Sequence, residues 1–148
     1  MKEVLLRLLC AKTLSNWLEG AMIASSEMEM EGTVMTTKEE RIVERIEGAS
    51  GGKGILRKEV LIDKEQMGEH CGLFGEVTLE PGAVLGYHEH HGETETYYIL
   101  SGNGVYVDNG EEIPAKEGDV FFCKDGDGHG LKNTGERDLV FVALILKK

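Results

Sequence analysis

Cysteine is scarce in this sequence, and its pattern argues against an exported protein. The three cysteines, Cys10, Cys71 and Cys123, are odd in number and have no Cys-x-x-Cys spacing, which is not the pattern of a disulfide framework. An apolar stretch over residues 4–10 is interrupted by Arg7, and no small-x-small cleavage pattern follows it closely, so a signal peptide is not predicted. No run reaches the length of a membrane helix. We therefore expect a cytoplasmic protein.

Positive charge is also in short supply. The chain has 27 acidic and 16 basic residues, and its formal net charge is −11. Such a surface repels phosphate backbones and anionic lipids, so we expect neither nucleic-acid nor membrane-surface binding. A small anionic substrate stays compatible with this charge, because a bound cation can reverse the local potential inside a pocket.

Several familiar catalytic signatures are missing. The sequence contains no dinucleotide fingerprint, and the loop over residues 49–54 fails the spacing of a phosphate-binding loop at both ends. The segment 88–91, His-Glu-His-His, is not His-Glu-x-x-His and lies in a strand-like pattern, which excludes a zincin protease.

Glycine is plentiful, and short strand-like runs fill the chain from residue 55 onward. The sequence has 20 glycines against two prolines, and apolar residues there alternate with a period of two. Asn109-Gly110 lies between two such runs and is a strong signal for a two-residue hairpin, since both residues tolerate positive φ. Short strands without intervening helices predict a single all-β domain, a sandwich or a barrel. The eight predicted runs are residues 55–62, 73–79, 84–88, 94–100, 105–108, 120–123, 130–133 and 139–146.

The first 33 residues differ from the rest. Apolar residues recur there at roughly helical spacing, and a polar stretch over residues 25–32 follows. This pattern predicts an N-terminal extension, residues 1–33, made of an amphipathic helix and a linker. Two interpretations stay open: a helix that packs in a dimer, or a segment that arises from the assumed translation start, since several later methionines offer alternatives.

A second helix is suggested just after the extension. Thr37 and Glu40 have the spacing of a capping box, and Gly48 could end the helix that they begin. A strand through residues 41–46 is the alternative.

A group of possible metal ligands is the main chemical feature of the sequence. His88 and His90 are two residues apart in a strand pattern, so their rings are expected on one face. Glu95 follows after a short loop, and His129 follows a glycine-rich turn much later in the chain. By itself the His-x-His pair fits a metal site or a pair of hydrogen-bonded histidines.

With their neighbours, these residues resemble the two sequence motifs of the cupin superfamily. The first is Gly-x5-His-x-His-x3–4-Glu-x6-Gly, and the second is Gly-x5-Pro-x-Gly-x2-His-x3-Asn. Nine of the ten fixed positions match, with Lys124 at the usual proline. The matching residues are Gly82, His88, His90, Glu95 and Gly102 in the first motif, and Gly118, Gly126, His129 and Asn133 in the second.

The resemblance implies a double-stranded β-helix over residues 34–148 and one divalent transition metal held by His88, His90, Glu95 and His129. Three nitrogen donors argue against calcium and magnesium, and they leave manganese, iron, nickel, cobalt, copper and zinc. Gly82 and Gly102 would then be turn residues. A homodimer is also implied.

Several residues beside the four ligands are candidates for other roles. Tyr97 lies two positions beyond the glutamate, hence on the same face, and its phenol is a candidate catalytic acid or base; the alternative is an aromatic that fills the barrel. We expect His91 to be exposed, Glu89 and Glu93 to be solvated rather than ligating, and Cys123 to be a buried structural thiol.

The function predicted from these features is a metal-dependent reaction on a small polar metabolite. The metal would act either as a Lewis acid in isomerisation of a sugar or sugar phosphate, or as an oxygen-activating centre in a dioxygenase-like cleavage. The alternative is a non-catalytic module that binds a metal and a small ligand.

Overall fold

The structure, a computed structural model, describes residues 35–148, and Thr36–Lys148 form one compact unit. It contains ten strands and one short helix, α1 (Lys64–Met67), so the all-β prediction is confirmed. The predicted N-terminal helix and linker, residues 1–33, lie outside the described residues. The strands are β1 (Ile42–Glu47), β2 (Ile55–Val60), β3 (Cys71–Leu79), β4 (Val84–Glu89), β5 (Glu93–Ser101), β6 (Asn103–Asp108), β7 (Glu111–Lys116), β8 (Val120–Cys123), β9 (Gly128–Asn133) and β10 (Leu139–Lys147).

Two antiparallel sheets face each other in a jelly roll. One has six strands in the order β1-β2-β3-β10-β5-β8, and the other has four in the order β4-β9-β6-β7. Alternating residues of both sheets point inward and form the core. Five of the most deeply buried apolar side chains are Leu79, Ile99, Leu131, Leu139 and Phe141. No helix among the described residues is long and apolar enough to cross a membrane.

The prediction of a helix that ends at Gly48 is wrong. Thr37 and Glu40 do hydrogen-bond to each other, but they close only a single 3-10 turn, Lys38–Glu40. The following residues form β1, which pairs with β2 along its whole length. The strand alternative is therefore correct, because pairing with a neighbouring strand outweighs a local helix signal.

One strand was not predicted at all. β7 contains Pro114 and three charged residues, a composition that disfavours a strand. It lies at the edge of the four-stranded sheet and pairs only with β6. An edge strand tolerates proline because one side of it needs no hydrogen bond. The turn before it forms as predicted, with Asn109 at φ 47° and Gly110 at φ 94°.

Two glycines allow the chain to cross itself closely beside β4. A Cβ atom added at Gly86 would lie 2.1 Å from the carbonyl oxygen of Ser50, and one at Gly52 would lie 1.9 Å from that of Val84. The turn Ala49–Gly51 therefore packs directly on the backbone of β4. This contact fixes the strand that carries the first candidate ligand.

Candidate metal centre

The four predicted ligands come together in the structure. Their donor atoms all lie within 4.8 Å of one another, and this cluster could hold a metal ion. His88 lies on β4 opposite His129 on β9, His90 follows the end of β4, and Glu95 comes from β5 in the other sheet. The cluster therefore lies between the two sheets, as the inward alternation of antiparallel strands requires.

Glu95 is the centre of the cluster. Its Oε2 atom lies 2.8 Å from Nε2 of His129, 3.1 Å from Nε2 of His90 and 3.7 Å from Nε2 of His88. Glu95, His90 and His129 are buried, whereas the side chain of His88 is 26% exposed. His88 therefore forms the accessible side of the cluster.

Each histidine is oriented by a partner at its other ring nitrogen. Nδ1 of His88 lies 2.9 Å from the carbonyl oxygen of Gly86, and Nδ1 of His90 lies 3.0 Å from Oε1 of Glu93. Both partners only accept hydrogen bonds, so they favour a proton on Nδ1 and leave the Nε2 lone pair for the centre.

The partner of His129 is different in kind. Nδ1 of His129 lies 2.9 Å from the hydroxyl of Tyr106, a buried phenol. A phenol can donate or accept, so Tyr106 suits a neutral His129 with its proton on either nitrogen. His129 could therefore carry its proton on Nδ1, donate it to Tyr106 and leave Nε2 free for a cation without losing this contact.

The pKa values of Glu95 and His129 keep these two donors available. Burial alone would raise the pKa of Glu95, but hydrogen bonds from His129 and His88 lower it to about 2. Burial lowers the pKa of His129, against the opposing effect of Glu95. Burial also disfavours charge on His88, but its hydrogen bonds to Glu95 and Gly86 raise its pKa overall. Glu95 is thus a carboxylate and His129 a neutral imidazole at neutral pH.

This donor set fits a divalent transition metal. Three imidazole nitrogens and one carboxylate oxygen, mostly buried and lying close to one another, match the preferences of these ions. The nitrogen majority disfavours calcium and magnesium. The set does not distinguish manganese, iron, nickel, cobalt, copper and zinc.

Comparison with known proteins agrees with this geometry. The family model for the cupin domain matches residues 75–145. The chain is also 45% identical to the oxalate-binding protein of Thermotoga maritima over 117 residues, which are 78% of this chain and 97% of that protein. The chain is a cupin.

Solved structures of other proteins are also similar to this chain. A crystal structure of a "predicted oxalate decarboxylase" from Thermotoga maritima has 43% sequence identity and a TM-score of 0.74, and the match covers 78% of the cupin described here and 100% of that chain. KdgF from Halomonas sp. is 18% identical with a TM-score of 0.63 over 77% of this chain and 93% of its own. The latter likeness concerns the fold alone.

A small cavity opens beside the four candidate metal ligands of this cupin. It has a volume of about 280 Å³ and contacts the cluster through His88 and Glu95. Most of its wall is apolar, and the polar groups are few. Its remaining lining residues are Ile46, Ala49, Ser50, Leu56, Lys58, Leu73, Val77, Leu85, Tyr97, Phe141 and Ala143.

Tyr97 lies in the wall of this cavity. Its ring stacks on His129 at a centroid distance of 4.8 Å and packs on Phe141 at 4.5 Å. Burial, with a further contribution from the adjacent Glu95 carboxylate, raises the pKa of Tyr97 well above its usual value. These contacts are those of an aromatic that fills the barrel. Its catalytic role stays a prediction.

The remaining sequence predictions around the cluster hold with one refinement. His91 is 72% exposed and pairs with Glu89, which is itself exposed. Cys123 is buried, and burial raises its pKa to about 11. Glu93 does not join the cluster, as predicted, but it is not simply solvated, because it binds His90.

A contact that the sequence did not indicate joins the loop between β4 and β5 to the loop between β8 and β9. Oδ1 of Asp125 accepts a hydrogen bond from the backbone N–H of Gly92 at 2.7 Å, and its other oxygen contacts Lys148 at 2.6 Å. The turn that contains Asp125 uses Gly126 at φ 90°. A flanking glycine thus provides the turn in the motif that has Lys124 instead of proline.

Proposed function

We propose that this cupin binds one divalent transition metal on His88, His90, Glu95 and His129 and, beside it, a small carboxylate anion. The observation that carries the proposal is the convergence of four donors, three of them buried, beside a small cavity. A divalent ion held there supplies positive charge and open coordination positions for an oxygen atom of a ligand.

The size of the cavity supports a small ligand. Its volume of about 280 Å³ lies below the roughly 300–1,000 Å³ of pockets for drug-sized molecules. The apolar wall excludes water from the ligand, and this strengthens its electrostatic attraction to the charges at the site. The relative from Thermotoga maritima is named for binding oxalate, and oxalate is our first choice of ligand.

The lining residues favour binding over isomerisation. An isomerase needs a side chain that moves a proton. Among the described residues that line the cavity, the ionisable groups outside the cluster are Lys58 and Tyr97, and Lys58 pairs with Glu44 at 2.9 Å. The raised pKa of Tyr97 makes it a poor base at neutral pH. The isomerase-like reaction therefore receives less support than the non-catalytic alternative.

Two measurements on purified protein test this proposal. Elemental analysis is expected to find about one transition metal per chain, and calorimetric titration of the metal-loaded protein with oxalate is expected to give a saturable 1:1 isotherm. Absence of oxalate binding in a fully loaded sample would contradict the proposal. Oxygen uptake in the presence of a catechol or a thiol would instead restore the dioxygenase prediction.

Substitution of Tyr97 by phenylalanine tests its assigned role. We expect metal content and oxalate affinity to stay within about threefold of wild type. The free energy of unfolding is expected to fall by about 1–2 kcal/mol, because the hydroxyl interacts with the carboxylate of Glu95. Urea unfolding and calorimetry measure both quantities. A loss of oxalate affinity greater than tenfold would show that the hydroxyl contacts the ligand.

Substitution of Glu93 by alanine tests how the ligands are oriented. Removal of the acceptor at Nδ1 of His90 is expected to weaken metal affinity by about 10–100-fold, as for other residues that support metal ligands. Glu93→Gln should recover part of the loss, since its amide oxygen can still accept from Nδ1–H. Glu89→Ala is the matched control, because the side chain of Glu89 pairs with the exposed His91 and lies outside the cluster. Equal metal affinities for Glu93→Ala and Glu89→Ala would contradict this role.

The homodimer and the cytoplasmic location stay predictions. Four large apolar side chains on the outer face of β5 and β8 are exposed, and they support an interface with a second copy. They are Tyr98, Leu100, Val120 and Phe122.

A further inference from the structure

A lysine lines the cavity beside the cluster, and this residue is not part of the metal-binding motifs. Lys58, on β2, is the only lysine or arginine among the described residues that line the cavity. Its side chain is 24% exposed, and its ammonium group lies 2.9 Å from Oε2 of Glu44 on the neighbouring strand. A lysine in an otherwise apolar wall needs a partner, since burial of an unpaired charge is unfavourable.

The partner that Lys58 has in this structure is easy to displace. Glu44 is 47% exposed and comes from β1, the edge strand of its sheet. Ion pairs with one solvated member contribute little, because water and salt screen the attraction. An anion in the cavity can therefore take the place of Glu44 at little cost, and Glu44 returns to solvent.

The charges that line the cavity match a ligand with two negative charges. A divalent ion beside the single carboxylate of Glu95 retains about one positive charge, and Lys58 adds a second. A monocarboxylate would satisfy only one of them and would leave Lys58 with Glu44. A short dicarboxylate presents oxygen atoms in two directions and can satisfy both.

We infer that Lys58 is the residue that makes this site selective for small dicarboxylate dianions, which it binds by exchanging its ion pair with Glu44 for one with the ligand. This inference rests on the function proposed above, and it adds the charge class of the ligand and the residue that selects it. Lys58 acts on ligand affinity and not on metal affinity, because it lies outside the cluster of metal-binding donors.

Titration calorimetry of manganese-loaded protein with oxalate, malonate and acetate tests the inference. We expect Lys58→Gln to weaken oxalate and malonate binding by about 10–100-fold, the range for hydrogen bonds to charged groups. Acetate affinity and manganese content should not change. Glu44→Gln should have the opposite effect and strengthen dicarboxylate binding, because it removes the competing carboxylate.

Lys132→Gln is the matched control. Lys132 also pairs with a glutamate from another strand, Glu112, but it does not line the cavity, so all three affinities should equal those of wild type. If Lys58→Gln binds the dicarboxylates as wild type does, the inference is overturned and the proposed function stands. If manganese-loaded wild type binds none of the three anions, the proposed function fails first. Thermal unfolding of each variant verifies that it is folded.

Discussion

Replacement of His129 by alanine is expected to abolish stoichiometric metal binding. Nε2 of His129 lies 2.8 Å from Glu95 and 3.0 Å from Nε2 of His90, so its loss removes one donor and the neighbour that orients two others. We expect affinity to fall by more than about 100-fold, beyond the losses typical of supporting residues. His88→Ala should have a comparable effect with less disturbance of the core, because His88 is partly exposed.

The neighbouring histidine provides the control for this prediction. His91 is exposed and outside the cluster, so His91→Ala should retain full metal content by elemental analysis. Thermal unfolding adds an independent measure: an added metal should raise the midpoint for wild type and His91→Ala, because an ion that binds only the folded state stabilises it. It should not raise the midpoint for His88→Ala or His129→Ala. Wild-type metal content in both of those variants would end the assignment.

The four donors could be predicted from the sequence because their positions follow simple rules. His88 and His90 share a face through strand alternation, and Glu95 and His129 stand at fixed spacings in two recognisable motifs. The side chains that orient them could not be predicted in the same way. Tyr106 reaches His129 from a neighbouring strand, and this contact depends on a register between segments far apart in the chain.

The position of Lys58 in the cavity wall could not be predicted from the sequence either. Its place in the cavity wall depends on the path of β2, and its partner Glu44 lies on β1, which the capping-box signal assigned to a helix. The capping-box spacing is a local signal, whereas pairing with β2 decides the structure of this segment. The sequence thus predicted the metal-binding part of the cavity but not the part that contains Lys58, whose position depends on strand pairing.

Replacement of Gly86 by alanine is expected to be strongly damaging although it leaves all four donors in place. The added Cβ would lie 2.1 Å from the carbonyl oxygen of Ser50 and 2.7 Å from the backbone nitrogen of Gly52. Both are backbone atoms, so no side-chain rotation relieves the contact, and β4 must move away from the turn. We expect the free energy of unfolding to fall by about 3 kcal/mol or more.

The same change should also weaken metal binding, because the carbonyl oxygen of Gly86 accepts the hydrogen bond from Nδ1 of His88. Gly51→Ala separates this effect from the general cost of losing a glycine in the region. Gly51 has φ 73° and open space at its Cβ position, so its replacement should cost only about 1–2 kcal/mol of backbone strain and leave metal affinity unchanged. Urea unfolding and metal titration of both variants measure the free energy of unfolding and the metal affinity. If Gly86→Ala lowers neither quantity more than Gly51→Ala does, the close crossing of the chain at Gly86 is refuted.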